Sequence, residues 1–215
     1  MAQTIFITGT DTGVGKTVLA AQFVKWLRGH GVNAAALKPI CSGGRGDARK
    51  LFAAMNGALS LDEVNPFHFR APIAPLLAAR RETKSVKLSQ VIAKIHAAQM
   101  RFDVLLVEGA GGLLSPLGEH FNSRDLILKL RATPVIVAPN KLGAVNQILL
   151  TLEALPDDCR RRARVVLSAA ARRDAAADSN AKLLAEFFPA ERIFTLPRVG
   201  KTFRAGKLFR ALAGV

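Results

Sequence analysis

The chain has 215 residues, of which half are hydrophobic and 22% are charged, so it belongs neither to the disordered nor to the collagen-like class. No apolar run approaches the roughly 18 residues that a membrane-spanning helix needs. Two cysteines, Cys41 and Cys159, are too few and too far apart for a disulfide scaffold. We therefore expect a cytoplasmic protein without a membrane partner.

The charge is strongly positive, with 31 Lys and Arg against 16 Asp and Glu, which gives +15. Such an excess is compatible with nucleic acid or with small anionic ligands. The basic residues are spread along the chain, the run Arg160–Arg161–Arg162 is short, and no aromatic residues interleave with basic ones. Small anions explain the charge equally well, so the charge alone does not lead us to expect nucleic-acid binding.

Short apolar runs alternate with helical patterns along the chain, which predicts a sheet of the α/β class. The predicted strands are Thr4–Thr8, Asn33–Leu37, Asp103–Val107, Pro134–Ala138, Arg164–Ser168 and a short Arg192–Leu196. The predicted helices are Lys16–Arg28, Leu88–Met100, Ser123–Leu130, Ala144–Leu155, Asn180–Phe188 and Phe203–Leu212, with a short one at Ala48–Met55.

Several of these strands, such as VLLV and VIVA, are continuous apolar runs, which is typical of strands buried on both faces of a parallel sheet. We predict a doubly wound, mostly parallel sheet with helices on both faces and right-handed crossovers, forming one domain over residues 1–215. The stretch from Cys41 to Lys87 is predicted to be irregular, and insertions of this kind often build a binding site.

A phosphate-binding loop is predicted where the first strand runs into GTDTGVGKT and then into a helix. Glycines let successive backbone N–H groups face one anion, and the helix N-terminus adds partial positive charge. Lys16 would reach the β- and γ-phosphates and the Thr17 hydroxyl would bind Mg²⁺. Gly9 lies one residue earlier than the strict motif requires, so the loop is a longer variant of the P-loop NTPase type.

Charged residues follow two other predicted strands, at the edge where open α/β sheets bind ligands. Lys38 comes after the second strand and is a candidate electrostatic partner of a transferring phosphoryl group. Glu108 ends the third strand before the glycine-rich segment Gly109–Gly112, an arrangement typical of a Mg²⁺-binding carboxylate. Asp47 is a weaker metal candidate, since it also fits the start of a short helix.

Together these motifs resemble those of the dethiobiotin synthetase family, ATP-dependent cyclo-ligases of biotin synthesis. The matching stretches lie in the family's order within residues 4–155; they are GTDTGVGKT, LKPI-CSG, an aspartate soon after, VNPF with prolines 72 and 75, VEGAGG and KLGAVNQILLT. ParA-like partitioning ATPases share the loop type but lack the KP, VEGAGG and KLG motifs. The last 60 residues match only weakly.

The resemblance implies a reaction: 7,8-diaminononanoate captures CO₂ as a carbamate, ATP activates the carbamate as a carbamic–phosphoric anhydride, and ring closure gives dethiobiotin. It also implies Mg²⁺, a homodimer and a catalytic role for Lys38 together with Lys16. The nucleotide would be held by Gly13, Val14, Gly15, Lys16, Thr17, Val18, Glu108, Gly109, Ala110, Gly111, Pro197, Arg198 and Val199. The substrate would contact Thr12, Ser42, Leu142, Gly143, Ala144 and Asn146, and Mg²⁺ would bind Thr17, Asp47 and Glu108.

The sequence departs from the family at two points. The asparagine that usually reads the adenine edge after the fifth strand is absent, because residues 167–171 read LSAAA. Gly13 stands where some relatives carry glutamate. Recognition of the base would then depend on main-chain groups or on residues 197–199.

Two other functions share part of this pattern. A ParA- or MinD-like ATPase switch that binds DNA or a membrane would explain the loop and the charge, but that class usually carries an additional lysine early in the loop. The synthetase-like half of a cobyrinate-type amidotransferase would need a glutaminase domain that the sequence lacks. Cys41 could suggest a nucleophile, but no His–Asp partnership is visible for it, and we expect a small structural residue.

Overall fold

Eight strands form two parallel sheets in the computed structural model, which describes residues 2–170, 174–198 and 205–214. The strands are β1 (Gln3–Gly9), β2 (Ala34–Leu37), β3 (Ile40–Ser42), β4 (Phe67–Phe69), β5 (Val104–Glu108), β6 (Thr133–Asn140), β7 (Arg164–Ala169) and β8 (Ile193–Leu196). The large sheet has the order β2-β5-β1-β6-β7-β8, with every pair parallel, and β3 pairs with β4 in a small second sheet.

Helices cover the large sheet on both faces. Within the described ranges they are α1 (Lys16–Gly29), α2 (Gly46–Ala54), α3 (Leu61–Val64), α4 (Pro75–Arg81), α5 (Leu88–Gln99), α6 (Ser123–Leu130), α7 (Ala144–Glu153), α8 (Asp157–Arg162), α9 (Asn180–Leu184) and α10 (Gly206–Ala213). Helix α1 packs against α2 and α10, whereas α5 packs against α6 and α7 against α9. Helices α1, α2 and α10 form one group, and α5, α6, α7 and α9 form the other. The chain passes from β1 to β2 in one direction along the sheet and from β5 to β6 in the opposite direction, so right-handed crossovers place the two groups on opposite faces. This arrangement confirms the predicted doubly wound architecture.

Continuous apolar runs form the centre of the large sheet, as the sequence predicts. Every residue of β2 and of β5 is buried, and so are all residues of β1 after Gln3. Strands covered on both faces cannot alternate polar with apolar residues without burying unpaired polar groups. The six predicted strands are confirmed, with ends that differ by no more than two residues.

The order of the strands determines where a ligand can bind. Strand β1 lies between β5 and β6, so the chain leaves β1 for one side of the sheet and later returns to the other. The carboxyl ends of β1, β5 and β2 therefore lie side by side, with Ile7 beside Glu108 and Leu37 beside Val107. In open α/β sheets such a switch point opens the crevice that binds ligands.

The short helix predicted at Ala48–Met55 is present as α2, but the prediction that the rest of residues 41–87 is irregular is wrong, because this stretch also forms β4, α3, α4 and part of β3. Two of these helices carry signals in the sequence. Ser60 and Glu63 form a reciprocal capping box at the start of α3, and Pro75 occupies the first turn of α4. Strands β3 and β4 have three residues each, too few to show a period.

The C-terminal helices also differ from the prediction. Helix α9 ends at Leu184 rather than at Phe188, and a turn continues the chain to Pro189. Pro189 disfavours helical conformation at Phe188, the residue that directly precedes it. The predicted start of the last helix, Phe203, lies outside the described residues, and α10 is described from Gly206.

The last helix is held to the rest of the protein by aromatic side chains. The ring of Phe209 stacks on Phe23 of α1 with centroids 5.2 Å apart, and the centroid of the Trp26 ring lies 5.9 Å from that of Phe209.

Across the described residues, no helix combines the length and the apolar character needed to cross a membrane.

We predict that Leu105→Ala destabilises the protein by about 2–5 kcal/mol, because Leu105 is fully buried in the central strand β5 and truncation leaves a cavity. The matched control is Leu183→Ala, since Leu183 on α9 is 44% exposed, and its cost should stay below about 1 kcal/mol. Urea denaturation measures both. Equal losses from the two variants would contradict the assignment of β5 to the core.

Candidate active site

A pocket of about 660 Å³ opens at the carboxyl edge of the large sheet. Its walls come from the loop after β1, from residues that follow β2 and β5, and from the segments at residues 72–75 and 115–116. The volume is within the range of small-molecule sites. The switch point therefore coincides with the pocket that contains the predicted loop.

The loop after β1 has the backbone that the glycine pattern predicts. Gly15 ends the loop with φ of +100°, a left-handed conformation that favours glycine, and α1 begins at the next residue. A Cβ atom on Gly15 would lie 3.2 Å from the Cβ of Ser168. The Ser168 hydroxyl donates a 2.6 Å hydrogen bond to the carbonyl of Val14, so β7 supports the loop from below.

Lys16 is the first residue of α1 and its side chain curls over the loop. Its Nζ donates a 2.6 Å hydrogen bond to the carbonyl oxygen of Asp11. Burial, reinforced by the nearby charge of Lys38, lowers the pKa of Lys16 to about 8. The ammonium group has therefore lost much of its hydration, and the negative charge of a bound phosphate would compensate for that loss.

Glu108 is the centre of the charged cluster on the pocket floor. Its Oε1 accepts a 2.7 Å hydrogen bond from the Thr17 hydroxyl and another of 2.7 Å from Nζ of Lys38. All three side chains are buried, although they come from the start of α1, the end of β2 and the end of β5. A buried carboxylate is tolerated because it is paired and hydrogen-bonded.

Lys38 stays protonated in this cluster. Burial alone would lower its pKa, but the attraction and hydrogen bond of the Glu108 carboxylate outweigh burial, and the pKa is raised. Its Nζ also donates a 3.3 Å hydrogen bond to the carbonyl of Gly109 and lies 3.7 Å from Oδ2 of Asp47. Lys50 lies 3.6 Å from the other oxygen of Asp47. Lys38 therefore connects the two carboxylates that the sequence assigns to a metal.

The residues predicted to hold Mg²⁺ fit such an ion. Oxygen ligands are what Mg²⁺ prefers, and it commonly takes one or two carboxylates, with the remaining positions filled by water and by phosphate oxygens. Oε2 of Glu108 is buried and has no hydrogen-bond partner in the described part of the chain, and Thr17 and Asp47 line the same pocket. No group of three or more His, Cys, Asp or Glu side chains that could hold a metal occurs among the described residues, so phosphate and water would have to complete the shell.

Ser42 and Cys41 lie on the wall of the pocket near Asp47. The Ser42 hydroxyl donates a 2.6 Å hydrogen bond to the carbonyl of Ile73. The Cys41 thiol donates to the carbonyl of Gly44 and to Oδ1 of Asn65, and burial raises its pKa. A buried, protonated thiol without an adjacent base is a poor nucleophile, which agrees with a structural role for Cys41.

Most residues that the sequence assigns to nucleotide, metal, substrate or catalysis line this one pocket: Thr12, Gly13, Gly15, Lys16, Thr17, Val18, Lys38, Ser42, Asp47, Glu108, Ala110 and Gly111. Val14 and Gly109 lie beneath it and contribute the carbonyls already described. The pocket lining does not include Leu142, Gly143, Ala144, Asn146, Pro197 or Arg198. Val199 lies outside the described residues.

No motif in the sequence assigns a role to three residues near the site. Ser168 stands in the segment that lacks the family's asparagine, Lys50 belongs to none of the motifs, and Asn65 is part of VNPF. A buried asparagine between apolar neighbours is the one signal that could have identified Asn65, since such amides are generally hydrogen-bonded. Three partners of Asn65, namely Lys38, Cys41 and Arg45, lie too far away in sequence to be predicted.

We predict that Gly15→Ala weakens ATP binding at least tenfold, because alanine is strained at positive φ and its Cβ would press on Ser168. Gly31→Ala is the matched control, since Gly31 also has positive φ (+78°) but a Cβ there meets nothing within 4 Å. Both variants should lose about 1 kcal/mol of unfolding free energy. Calorimetric titration separates them: parallel losses of ATP affinity in both would contradict a specific role for Gly15.

We predict that ATP affinity falls as the pH rises above about 8, by up to tenfold per pH unit, because Lys16 then loses the positive charge that attracts the phosphates. Titrations without added metal between pH 7.5 and 9.5 measure the effect. Lys16→Arg is the control, since its guanidinium stays charged over this range and should abolish the pH dependence. A wild-type affinity that is constant up to pH 9.5 would refute the prediction.

The chain is similar to several curated proteins over most of its length. It is 43% identical over 155 residues to "ATP-dependent dethiobiotin synthetase BioD" of Anaeromyxobacter sp. (strain Fw109-5), covering 70% of each chain. It is 39% identical over 155 residues to the protein of that name from Methanocaldococcus jannaschii, covering 70% of this chain and 72% of the relative. The Caulobacter sp. (strain K31) protein of that name is 34% identical over 213 residues, which covers 95% of this chain and 91% of the relative.

Solved structures support the fold. A crystal structure of the hydrogenase maturation factor HypB from Archaeoglobus fulgidus covers 99% of this chain with a TM-score of 0.56 at 16% identity, and 89% of that chain is covered. The structure titled pNOB8 ParA bound to nonspecific DNA gives a TM-score of 0.57 at 15% identity, with 99% and 93% covered. At such identities the likeness extends to the fold alone.

A family model described as "AAA domain" matches residues 3–205, nearly the whole chain. Together with relatives that are 34–43% identical over up to 95% of the sequence, it confirms the resemblance carried by the GTDTGVGKT, VEGAGG and KLGAVNQ motifs. The chain belongs to the ATP-dependent dethiobiotin synthetase family.

Proposed function

We propose that the chain is an ATP-dependent cyclo-ligase that converts 7,8-diaminononanoate and CO₂ into dethiobiotin, in biotin biosynthesis. Family membership supports the reaction. The observation that carries the site assignment is the meeting of Lys38, Thr17 and Glu108 on the floor of the pocket that the phosphate loop borders.

The reaction needs no nucleophile from the protein. One amine of the substrate attacks CO₂, loses a proton and becomes a carbamate. A carbamate oxygen attacks the γ-phosphorus, the bond to ADP breaks, and a carbamic–phosphoric anhydride forms. The second amine then attacks the carbonyl carbon, loses a proton and expels inorganic phosphate as the five-membered ring closes. Such phosphoryl transfer depends on in-line positioning and on charge neutralisation.

The two buried lysines would supply much of this neutralisation. Lys16 would contact the β- and γ-phosphates, because it lies at the end of the loop beside α1. Lys38 would act on the transferring phosphoryl group, since its raised pKa keeps it charged and its ammonium lies over Glu108. Charged groups fixed in a buried site stabilise a transition state without having to reorganise.

Thr17, Asp47 and Glu108 would hold Mg²⁺, which adds positive charge beside the phosphates. The unpartnered buried Oε2 of Glu108 and the half-exposed carboxylate of Asp47 support this assignment. Main-chain groups and residues 197–199 would contact the base, and Arg198 already donates to the carbonyl of Ala170 beyond β7.

The diamine end of the substrate would contact Thr12 and Ser42, which line the pocket. Its carboxylate would reach the loop Leu142–Asn146 of a second subunit. Gly143, with φ of +86°, caps the N-terminus of α7, where backbone N–H groups attract anions. Leu142 is 79% exposed and Leu150 on α7 is 63% exposed, which supports an apolar contact between subunits of a homodimer. The unpaired state of both cysteines agrees with a cytoplasmic location.

The function can be tested by following phosphate release from Mg²⁺-ATP with and without diaminononanoate and bicarbonate. We expect turnover that requires the diamine, together with dethiobiotin detected by mass spectrometry. The matched arms replace the diamine with duplex DNA or with anionic lipid vesicles. Hydrolysis that DNA or lipid stimulates, and that the diamine leaves unchanged, would instead support the ParA- or MinD-like switch.

In the same assay Lys38→Ala should lower kcat by about 10²–10³-fold while ATP affinity changes by less than about fivefold, because its proposed work is on the transferring group. Lys94→Ala on the exposed face of α5 is the control and should leave both quantities unchanged. A Lys38→Ala enzyme with wild-type kcat would dismiss the assignment.

A further inference from the structure

Asn65 is a fully buried amide that uses all of its hydrogen-bonding capacity. Its Nδ2 donates to the carbonyl of Lys38 at 2.7 Å and to that of Phe67 at 3.3 Å. Its Oδ1 accepts from the Cys41 thiol at 3.1 Å and from Nε of Arg45 at 3.2 Å. It lies behind the pocket wall and is not part of the lining.

Backbone groups on either side of Asn65 also hold the segment Lys38–Pro39 by hydrogen bonds. The N–H of Lys38 donates to the carbonyl of Val64 at 2.9 Å, and the N–H of Phe67 donates to the carbonyl of Pro39 at 3.0 Å. With the Asn65 amide between them, the peptide groups on both sides of the Lys38 Cα are fixed. This matters because β2 ends at Leu37, so no neighbouring strand of the large sheet holds Lys38.

The Oδ1 atom of Asn65 connects the amide, through Arg45, to the helix that carries Asp47. Besides its contact with Asn65, the Arg45 guanidinium donates to Oδ1 of Asp62 and to the carbonyl of Leu61, each at 2.7 Å. Arg45 directly precedes α2, and Asp47 lies in the first turn of that helix. One side chain therefore connects the backbone that carries Lys38 with the start of the helix that carries Asp47.

We propose that Asn65 is a positioning residue for the reaction: its amide fixes the origin of the Lys38 side chain, so that the ammonium reaches the transferring phosphoryl group. The inference rests on the proposed function of Lys38. The donor half of the amide serves Lys38, at 2.7 Å, and Phe67, at 3.3 Å, and the acceptor half serves Arg45 and Cys41. A role confined to packing or to anchoring Arg45 would not depend on the donor half.

Two substitutions separate these roles. Asn65→Ala removes both halves, whereas Asn65→Asp keeps an acceptor for Arg45 and loses the donor to Lys38 and to Phe67. We expect kcat to fall by about 10–100-fold in both variants, because misplacing a reacting group by about 1 Å costs rate on this scale. ATP affinity measured without added metal should stay within about threefold. Ser60→Ala, which removes the cap of α3 without touching Asn65, should lower stability and leave kcat unchanged.

A double-mutant cycle tests whether the effect passes through Lys38. Asn65→Ala in a Lys38→Ala background should lower kcat by less than about threefold further, since the group that it positions is absent. A full additional loss in that background, or an Asn65→Asp enzyme with wild-type kcat, would overturn the inference. If Asn65→Ala does not fold, Asn65→Asp in both backgrounds carries the same test.

The outcome also separates this inference from the proposed function. A Lys38→Ala enzyme with wild-type kcat would refute the role of Lys38 and the inference with it. A Lys38→Ala enzyme with low kcat, together with an active Asn65→Asp enzyme, would refute only the positioning role.

Discussion

The site depends on one buried carboxylate oxygen, Oε1 of Glu108, which accepts hydrogen bonds from Thr17 and from Lys38. An isolated carboxylate at this depth would cost several kcal/mol, and the ammonium of Lys38 offsets that cost. The same pairing keeps Lys38 charged despite its burial. Removing either partner would therefore leave an uncompensated charge in the floor of the pocket, so structure and chemistry cannot be changed independently there.

The parallel sheet makes this pairing possible. Thr17, Lys38 and Glu108 are up to 91 positions apart in the sequence, yet each lies just beyond or at the carboxyl end of a strand, and β2, β5 and β1 are neighbours. The sheet brings these strand ends together, but the final positions of the side chains also depend on further hydrogen bonds. Ser168 on β7 supports the loop, and Asn65 ties the segment after β2 to the start of α2.

The sequence predicts those parts of the molecule whose structure is determined by residues adjacent in sequence. Continuous apolar runs require burial on both faces, and a glycine loop between strand and helix has few alternatives, so the sheet was predicted correctly, and Lys16 and Glu108 lie in the pocket that the loop borders. The segment around β3 and β4 was missed because three-residue strands carry no period. Three of the side-chain hydrogen bonds of Asn65 join residues 20 to 27 positions away, and no local pattern encodes such pairings.

The placement of β1 between β5 and β6 has a consequence for biosynthesis on the ribosome. Both strands that flank β1 are encoded after residue 100, so the nascent N-terminal half emerges with an apolar strand that has no sheet neighbour. Because Ser168 of β7 supports the phosphate loop, the loop can take its final shape only after more than three quarters of the 215 residues have left the exit tunnel. Until then β1 is exposed to pairing with other chains, which makes this interval the one in which chaperones would protect the protein.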